Sequence, residues 1–175
     1  MVKPPLLNEP EFLRLTKNHG SFCNTLRQLG HETTSSGVTE SAYHVGLCWL
    51  RLALEHMGEA KAAAASKFSR SAYSRAYYAA YNASKSVRYI VNGLVSLNAD
   101  DHKKAGPDLP DDFPDVEKWA ATIPTLYEHR LRADYDNWSI TESQHSLSVL
   151  EVVDLADQFV SEAARYLERK CGITA

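Results

Sequence analysis

Two groups of side chains stand at spacings that can do chemistry. In the stretch 126–136, LYEHRLRADYD, Arg130 and Asp134 are four residues apart. On a helix they lie about 40° from one another, near enough for an ion pair that holds the guanidinium rigid. Tyr135 follows Asp134 and is rotated off that face. In the stretch 71–88, SAYSRAYYAAYNASKSVR, Arg75, Tyr78 and Asn82 follow one another at helical spacing, with Lys85 and Ser86 just beyond. This ridge shows a guanidinium, a phenol and an amide to a cleft. The charge around it is uneven. Between Glu59 and Asn92 six basic residues face a single acid, whereas 99–118 carries seven acids against three lysines. A basic helix in an acidic chain marks a phosphate-facing surface, or else a solvated face paired to the acidic helices of its own fold. The tyrosines have a structural reading too, as core-edge residues whose hydroxyls reach water. Arg130–Asp134 has one as well, as a strut at a helix end.

The elements that must position these residues are helices. In 71–88, Ala72, Ala76, Ala80, Ala83 and Val87 fall on one stripe, and small side chains there let another helix come close. Ser69 or Ser71 caps this helix, which continues to about Val91 and ends at Asn92-Gly93. A long helix precedes it, from Thr39 or Ser41 to about Ala65. There Val45, Trp49, Leu52, His56, Ala60 and Ala63 repeat at threes and fours, which puts His56 on an apolar stripe. Gly58 weakens its middle by about 1 kcal/mol relative to alanine and marks a bend or a close contact. Residues 94–114 are irregular, with three prolines and many aspartates, and carry His102. A third helix begins near Asp115, is disturbed at Pro124 and reaches Tyr135. The last helix has a capping-box spacing at Thr141 and Gln144, and its core stripe runs from Val149 to Leu167 before Gly172. Residues 1–38 form a helical extension. A short helix runs from Asn8 as N-cap to Leu15 or Lys17, a second spans 21–29, and 31–37 is a polar loop. Residues 39–175 form the main domain. No strand pattern competes. The class is all-α, an antiparallel up-and-down bundle of four main helices.

Composition excludes several classes. A chain of 175 residues, 44% hydrophobic and 23% charged, fits one globular domain with a core that needs no disulfides. No apolar run approaches 18 residues, so no transmembrane helix is expected. The first residues lack the basic and apolar regions of a secretory signal. The three cysteines are far apart and without paired spacing, which fits free thiols in a reducing cytoplasm and no zinc site. No site for an organic cofactor is visible. The net charge of −3 argues against non-specific coating of nucleic acid.

SRAYYAAYNASK, a loop histidine, LYEHRLRADYD and a closing amphipathic helix follow in that order from about His56 to Lys170. Together they resemble the HEPN superfamily (higher eukaryotes and prokaryotes nucleotide-binding), in the branch marked by an RAYYA helix and an R-x-x-ADY helix. The resemblance implies an antiparallel bundle that forms a homodimer, with the cleft between protomers as the active region. Many such proteins are metal-independent ribonucleases, often toxins of toxin–antitoxin or anti-phage defence systems. They use an arginine and a histidine with four to six residues between them. An imidazole with pKa about 6.5 can shuttle protons from the ribose 2′-OH and to the leaving oxygen. A guanidinium stabilises charge on the in-line phosphorane.

Arg130 falls where that arginine is expected, and Tyr135 stands where the histidine should be. A phenol with pKa about 10 is a poor base at neutral pH. His102 is the imidazole best placed to replace it, by folding over Arg75, Tyr78 and Arg130. Arg51 and His56 have the family's spacing but precede the RAYYA helix, and His56 reads as core packing. His129 points about 100° away from Arg130. The resemblance thus implies an RNA-cleaving dimer with Arg130 as phosphate-stabilising group and Asp134 as its partner. Tyr135 and His102 would carry protons, and Arg75, Tyr78 and Asn82 would bind phosphate or base. A cognate antitoxin would be its partner. The alternative is a non-catalytic module that holds a nucleotide, or docks a nucleotidyltransferase, in the same cleft. A third reading leaves Arg130–Asp134 as a strut and the tyrosines as dimer packing.

Overall fold

The computed structural model describes residues 9–136 and 145–172. Its helices are α1 (Glu9–Thr16), α2 (His19–Gln28), α3 (Glu32–Ala65), α4 (Ser69–Val87), α5 (Asp101–Lys104), α6 (Val116–Tyr135) and α7 (Val149–Cys171). A π-helical turn, Arg88–Asn92, extends α4. There is no strand among the described residues, and the fold is an all-α bundle. Its main members are α3, α4, α6 and α7. No helix among these residues is long and apolar enough to cross a membrane.

The tyrosine-rich stretch is the central helix. Ala72, Ala76, Ala79, Ala80 and Ala83 of α4 are completely buried, with Tyr73 and Tyr77 beside them. Without bulk on these positions, α3, α6 and α7 all approach α4. α3 runs antiparallel to it. Glu59 meets Arg75 at one end, His56 lies by Tyr78, and Trp49 meets Lys85 at the other end. α6 is antiparallel to α4 as well, with Ser74 opposite Asp134 and Tyr78 opposite Arg130. α7 closes the back with Val152, Ala156, Phe159, Val160, Ala163 and Leu167 in the core.

Local chemistry moves several helix ends from their expected places. α3 starts at Glu32, so the polar stretch 31–37 is mostly helical and position 38 lies inside a helix. Its small hydroxyl residues find partners that a loop would not offer. Thr39 Oγ1 donates to Ser35 O at 3.0 Å, and Ser35 Oγ donates to Cys23 O of α2 at 3.2 Å. α6 continues unbroken through Pro124, whose missing N–H releases the carbonyl of Ala120. Gly106 packs against that carbonyl so closely that a Cβ would fall 2.8 Å from the oxygen. α7 begins at Val149 with a capping box of Ser148 and Glu151: Ser148 N donates to Glu151 Oε2 at 2.7 Å, and Glu151 N donates to Ser148 Oγ at 3.3 Å. Thr141 and Gln144, the capping pair expected from the sequence, lie outside the described residues, as does Asn8.

α1 and α2 are fastened to the far end of α4. Val95 N donates to Lys17 O at 2.8 Å and Gly20 N to Gly93 O at 3.2 Å. His19 Nε2 donates to Tyr89 O at 2.7 Å, the donor role following from the carbonyl partner. Gly93 is required here. Its φ is +67°, and a Cβ would meet Gly20 N at 2.7 Å. The segment after Gly93 is anchored by Ala105, Leu109 and Phe113 in the core. It is anchored above all by a buried ion pair. Arg88 and Asp101 are each 2% exposed at the side chain, and Arg88 Nη1 lies 2.9 Å from Asp101 Oδ1. Arg88 Nη2 reaches Oδ2 at 3.1 Å, and the Tyr81 hydroxyl donates to the same oxygen at 2.8 Å. Burial alone would raise the Asp101 pKa, but these partners outweigh it and hold the carboxyl below the usual carboxylate range.

Two stability measurements check this account. Asp101→Asn leaves Arg88 buried without a counter-charge and is expected to cost about 3–5 kcal/mol in urea unfolding. Gly58 is exposed within α3 and has nothing near a built Cβ, so it marks no close contact. Gly58→Ala is expected to add about 0.5–1 kcal/mol in the same assay.

Candidate functional site

Packing on three sides leaves α4 a narrow line of solvent-reaching residues. Beyond its first turns, where Ser69, Arg70, Ser71 and Ser74 also reach solvent, that line is Arg75, Tyr78, Tyr81 and Lys85. The ridge expected to pass through Asn82 and Ser86 therefore shifts by one residue. Asn82 is 7% exposed, its Nδ2 donating to Tyr78 O at 2.8 Å, and Ser86 is fully buried. Tyr81 takes the outward place. An amide that bonds its own helix four residues back is spent on structure.

Arg130 lies at the seam of α4 and α6. Its Nη2 donates to the Tyr78 hydroxyl at 2.7 Å, and Asp134 Oδ2 lies 2.7 Å from its Nε, a charge contact off the N–H axis. Its guanidinium carbon is 5.2 Å from the Tyr78 ring centre and 5.3 Å from that of Tyr135. Tyr135 itself is 67% exposed, so its phenol meets solvent. The pairing of Arg130 with Asp134 matches the i, i+4 spacing. The hydroxyl of Tyr78 is the partner that spacing did not reveal.

On the other flank, Arg75 Nε pairs with Glu59 Oε2 of α3 at 3.1 Å. His56 completes this group. The sequence assigned it to the core stripe, yet its side chain is 15% exposed and its Nδ1 lies 3.2 Å from Glu59 Oε2 and 3.3 Å from Arg75 Nη1. Neutral Nδ1 accepts from the Arg75 N–H, and protonated Nδ1 donates to Glu59. Each protonation state has a partner waiting, which is what a proton carrier needs. Its ring centre is 5.9 Å from that of Tyr78. The apolar periodicity of α3 concealed this. A histidine at the edge of a stripe looks like a core residue until the neighbouring helix supplies its partners.

His102 does not fold over Arg75 and Tyr78. It sits on α5 and packs behind the seam, its ring centre 4.3 Å from Tyr81 and 5.5 Å from Tyr127. Its Nδ1 lies 2.6 Å from the Tyr77 hydroxyl. Burial, and then the Arg130 charge, hold the imidazole below its ordinary pKa. Burial pushes the Tyr77 phenol far up, so the phenol donates and Nδ1 accepts. The proton of His102 is therefore on Nε2.

His129 is also occupied elsewhere. It is 2% exposed, and its Nδ1 lies 2.7 Å from Nδ1 of His145, with Tyr73 stacked on both rings. Two imidazole nitrogens at this separation share one proton. Burial holds both histidines below the ordinary range, and the His145 charge adds to this at His129.

The face assembled from α3, α4 and α6 thus offers two guanidiniums, a phenol hydrogen-bonded to one of them, and an imidazole bonded to the other. Guanidiniums and phenol hydroxyls are suited to the oxygens of a phosphate. Among the described residues, no group of three His, Cys, Asp or Glu side chains is placed to hold a metal ion. No family model, curated protein or solved structure matches the chain.

The buried imidazoles make a pH prediction. His19, His102, His129 and His145 are all depressed, chiefly by burial, so the folded protein keeps them neutral. The unfolded chain takes up these protons at about pH 6.5. Their contribution is complete above that pH and is lost as pH falls below it. Urea midpoints should fall between pH 7.5 and 5.5, and the fall should be shallower in His129→Gln.

Proposed function

We propose that this protein is a HEPN-type, metal-independent endoribonuclease, the RNA-cleaving effector of a toxin–antitoxin or anti-phage defence module, acting in the cytoplasm as a homodimer. The observation that carries the reading is the setting of Arg130. Its guanidinium is held by Tyr78 and Asp134 on a face that also carries Arg75 and His56. In the reaction the ribose 2′-oxygen attacks the adjacent phosphorus and the 5′-oxygen of the next nucleotide leaves. The products are a 2′,3′-cyclic phosphate and a 5′-hydroxyl. Arg130 neutralises the charge that builds on the phosphorane oxygens, and Tyr78 orients Arg130 and donates its own hydroxyl proton to the phosphate. His56 is the imidazole that the motif lacks at Tyr135, taking the proton of the 2′-hydroxyl or supplying one to the leaving oxygen. Arg75 holds His56 and binds a neighbouring phosphate.

A second reading is favoured by one specific observation. Each guanidinium of the face already has a carboxylate, Arg75 with Glu59 and Arg130 with Asp134. Charges balanced within the chain suit a non-catalytic module that binds a nucleotide or docks a nucleotidyltransferase.

The two readings part in a single assay, with mixed cellular RNA, purified protein and EDTA. The first expects new ends carrying 2′,3′-cyclic phosphate, a loss of about 100-fold or more in Arg130→Ala, and a comparable loss in His56→Gln. Both variants should keep the wild-type circular dichroism. Intact RNA together with saturable nucleotide binding would put the second reading in place of the first.

A further inference from the structure

We infer that the cavity between the end of α1, the segment after Gly93 and the turns that follow α5 binds a short apolar peptide with free termini. The peptide is a zwitterion. Its carboxylate meets Arg14 and Lys17, and its ammonium meets Asp108 and Asp111. The site stands apart from the RNA reading, since none of Arg75, Tyr78 and Arg130 lines this cavity.

The cavity has a volume of about 870 Å³, within the range of roughly 300–1,000 Å³ usual for small-molecule sites. Its walls are tied to one another. Val95 N donates to Lys17 O at 2.8 Å, which joins α1 to the segment after Gly93. Asn92 Nδ2 donates to Asp108 O at 3.0 Å, which joins the π-helical turn to the wall that follows α5. That wall is itself a run of turns, with Asp108 N donating to Lys104 O at 3.0 Å and Leu109 N to Gly106 O at 3.3 Å. Walls fixed before a ligand arrives spare it the cost of ordering them.

Charge identifies the occupant. Two of the cations on the lining are already taken, Arg88 by buried Asp101 and Lys104 by Asp100. Arg14 and Lys17 from α1 and its end, and Asp108 and Asp111 from the turns after α5, have no ion-pair partner among the described residues. Two cations and two carboxylates thus share one cavity without meeting. Leu94 and Leu97 line it as well, 49% and 44% exposed, beside buried Leu109. Balanced charge gives a polyanion nothing to follow. A ligand with one charge would satisfy one pair of side chains and desolvate the other pair at a cost. A zwitterion serves both. Its carboxylate accepts from the guanidinium and the lysine ammonium, and its own ammonium donates to the two aspartates. Apolar side chains between the termini cover the leucines, which gains about 25 cal/mol for each Å² removed from water.

The test is calorimetric titration of the full chain with tri-leucine, whose two termini are free, and with its blocked forms. Tri-leucine should bind one-to-one with a Kd below about 1 mM, and the peptide blocked at both ends about tenfold or more weakly. Arg14→Gln should weaken tri-leucine about tenfold and leave tri-leucine amide, which has no carboxylate, unchanged. Asp111→Asn should weaken tri-leucine by a similar factor and leave N-acetyl-tri-leucine, which has no ammonium, unchanged. Both positions are exposed, so urea midpoints should stay near wild type. Arg165→Gln, on the exposed side of α7, should bind as wild type does. Absence of tri-leucine binding to wild type overturns the proposal, as does equal affinity for the doubly blocked peptide, or affinity unaltered in both cavity variants. A loss in Arg165→Gln as large as in Arg14→Gln marks a general charge effect and overturns it too. Binding of inorganic phosphate without any of tri-leucine makes Arg14 and Lys17 an anion site and likewise overturns it.

Discussion

The close approach of three helices to one small-residue helix is the constraint from which the rest of this structure follows. Five completely buried alanines on α4 let α3, α6 and α7 pack against it. A helix so enclosed keeps a single line of residues for solvent. From Arg75 onward every polar group that α4 contributes to the surface stands on that line, and the neighbours of the line are set by the registers of α3 and α6. The candidate site is therefore a by-product of packing geometry. Arg75 meets Glu59 and His56, and Tyr78 meets Arg130, because the helices cross α4 antiparallel at those heights.

A second layer of order lies behind this face. The Arg88–Asp101 pair pins α5 to the π-helical end of α4, and the Tyr81 hydroxyl shares the same carboxylate. α5 in turn delivers His102 into a stack of tyrosines, where the Tyr77 phenol fixes its tautomer. The rings of Tyr77, Tyr81 and Tyr127 pack around His102. A buried ion pair is seldom a large net gain in stability, because both charges lose their water. Here its effect is positional. It converts an acidic, proline-rich connection into a fixed wall of the bundle.

Much of this was legible in the chain. The alanine stripe of α4, the glycine that ends its π-helical extension, the core stripe of α7 and the Arg130–Asp134 spacing all appear in the structure. Each depends on positions within one or two helical turns, and such spacing is visible in a sequence. The misplacements share the opposite property. The polar stretch before Val38 is helical because Cys23 of another helix meets Ser35. Asn82 turns inward, Tyr81 outward, and His56 leaves the core stripe to join Arg75. His129 is consumed by His145.

The sequence by itself determined the class of the fold, the helix that occupies its centre and the guanidinium, phenol and imidazole groups it carries, since periodicity and residue type are local properties. The tertiary structure decided which of those side chains meet. A helix can rotate by part of a turn with little effect on its apolar pattern. The same rotation moves a polar group between a partner and the interior. For Asn82, Tyr81, His56 and His102, that choice was made by contacts between residues far apart in the chain, which no spacing within one helix records.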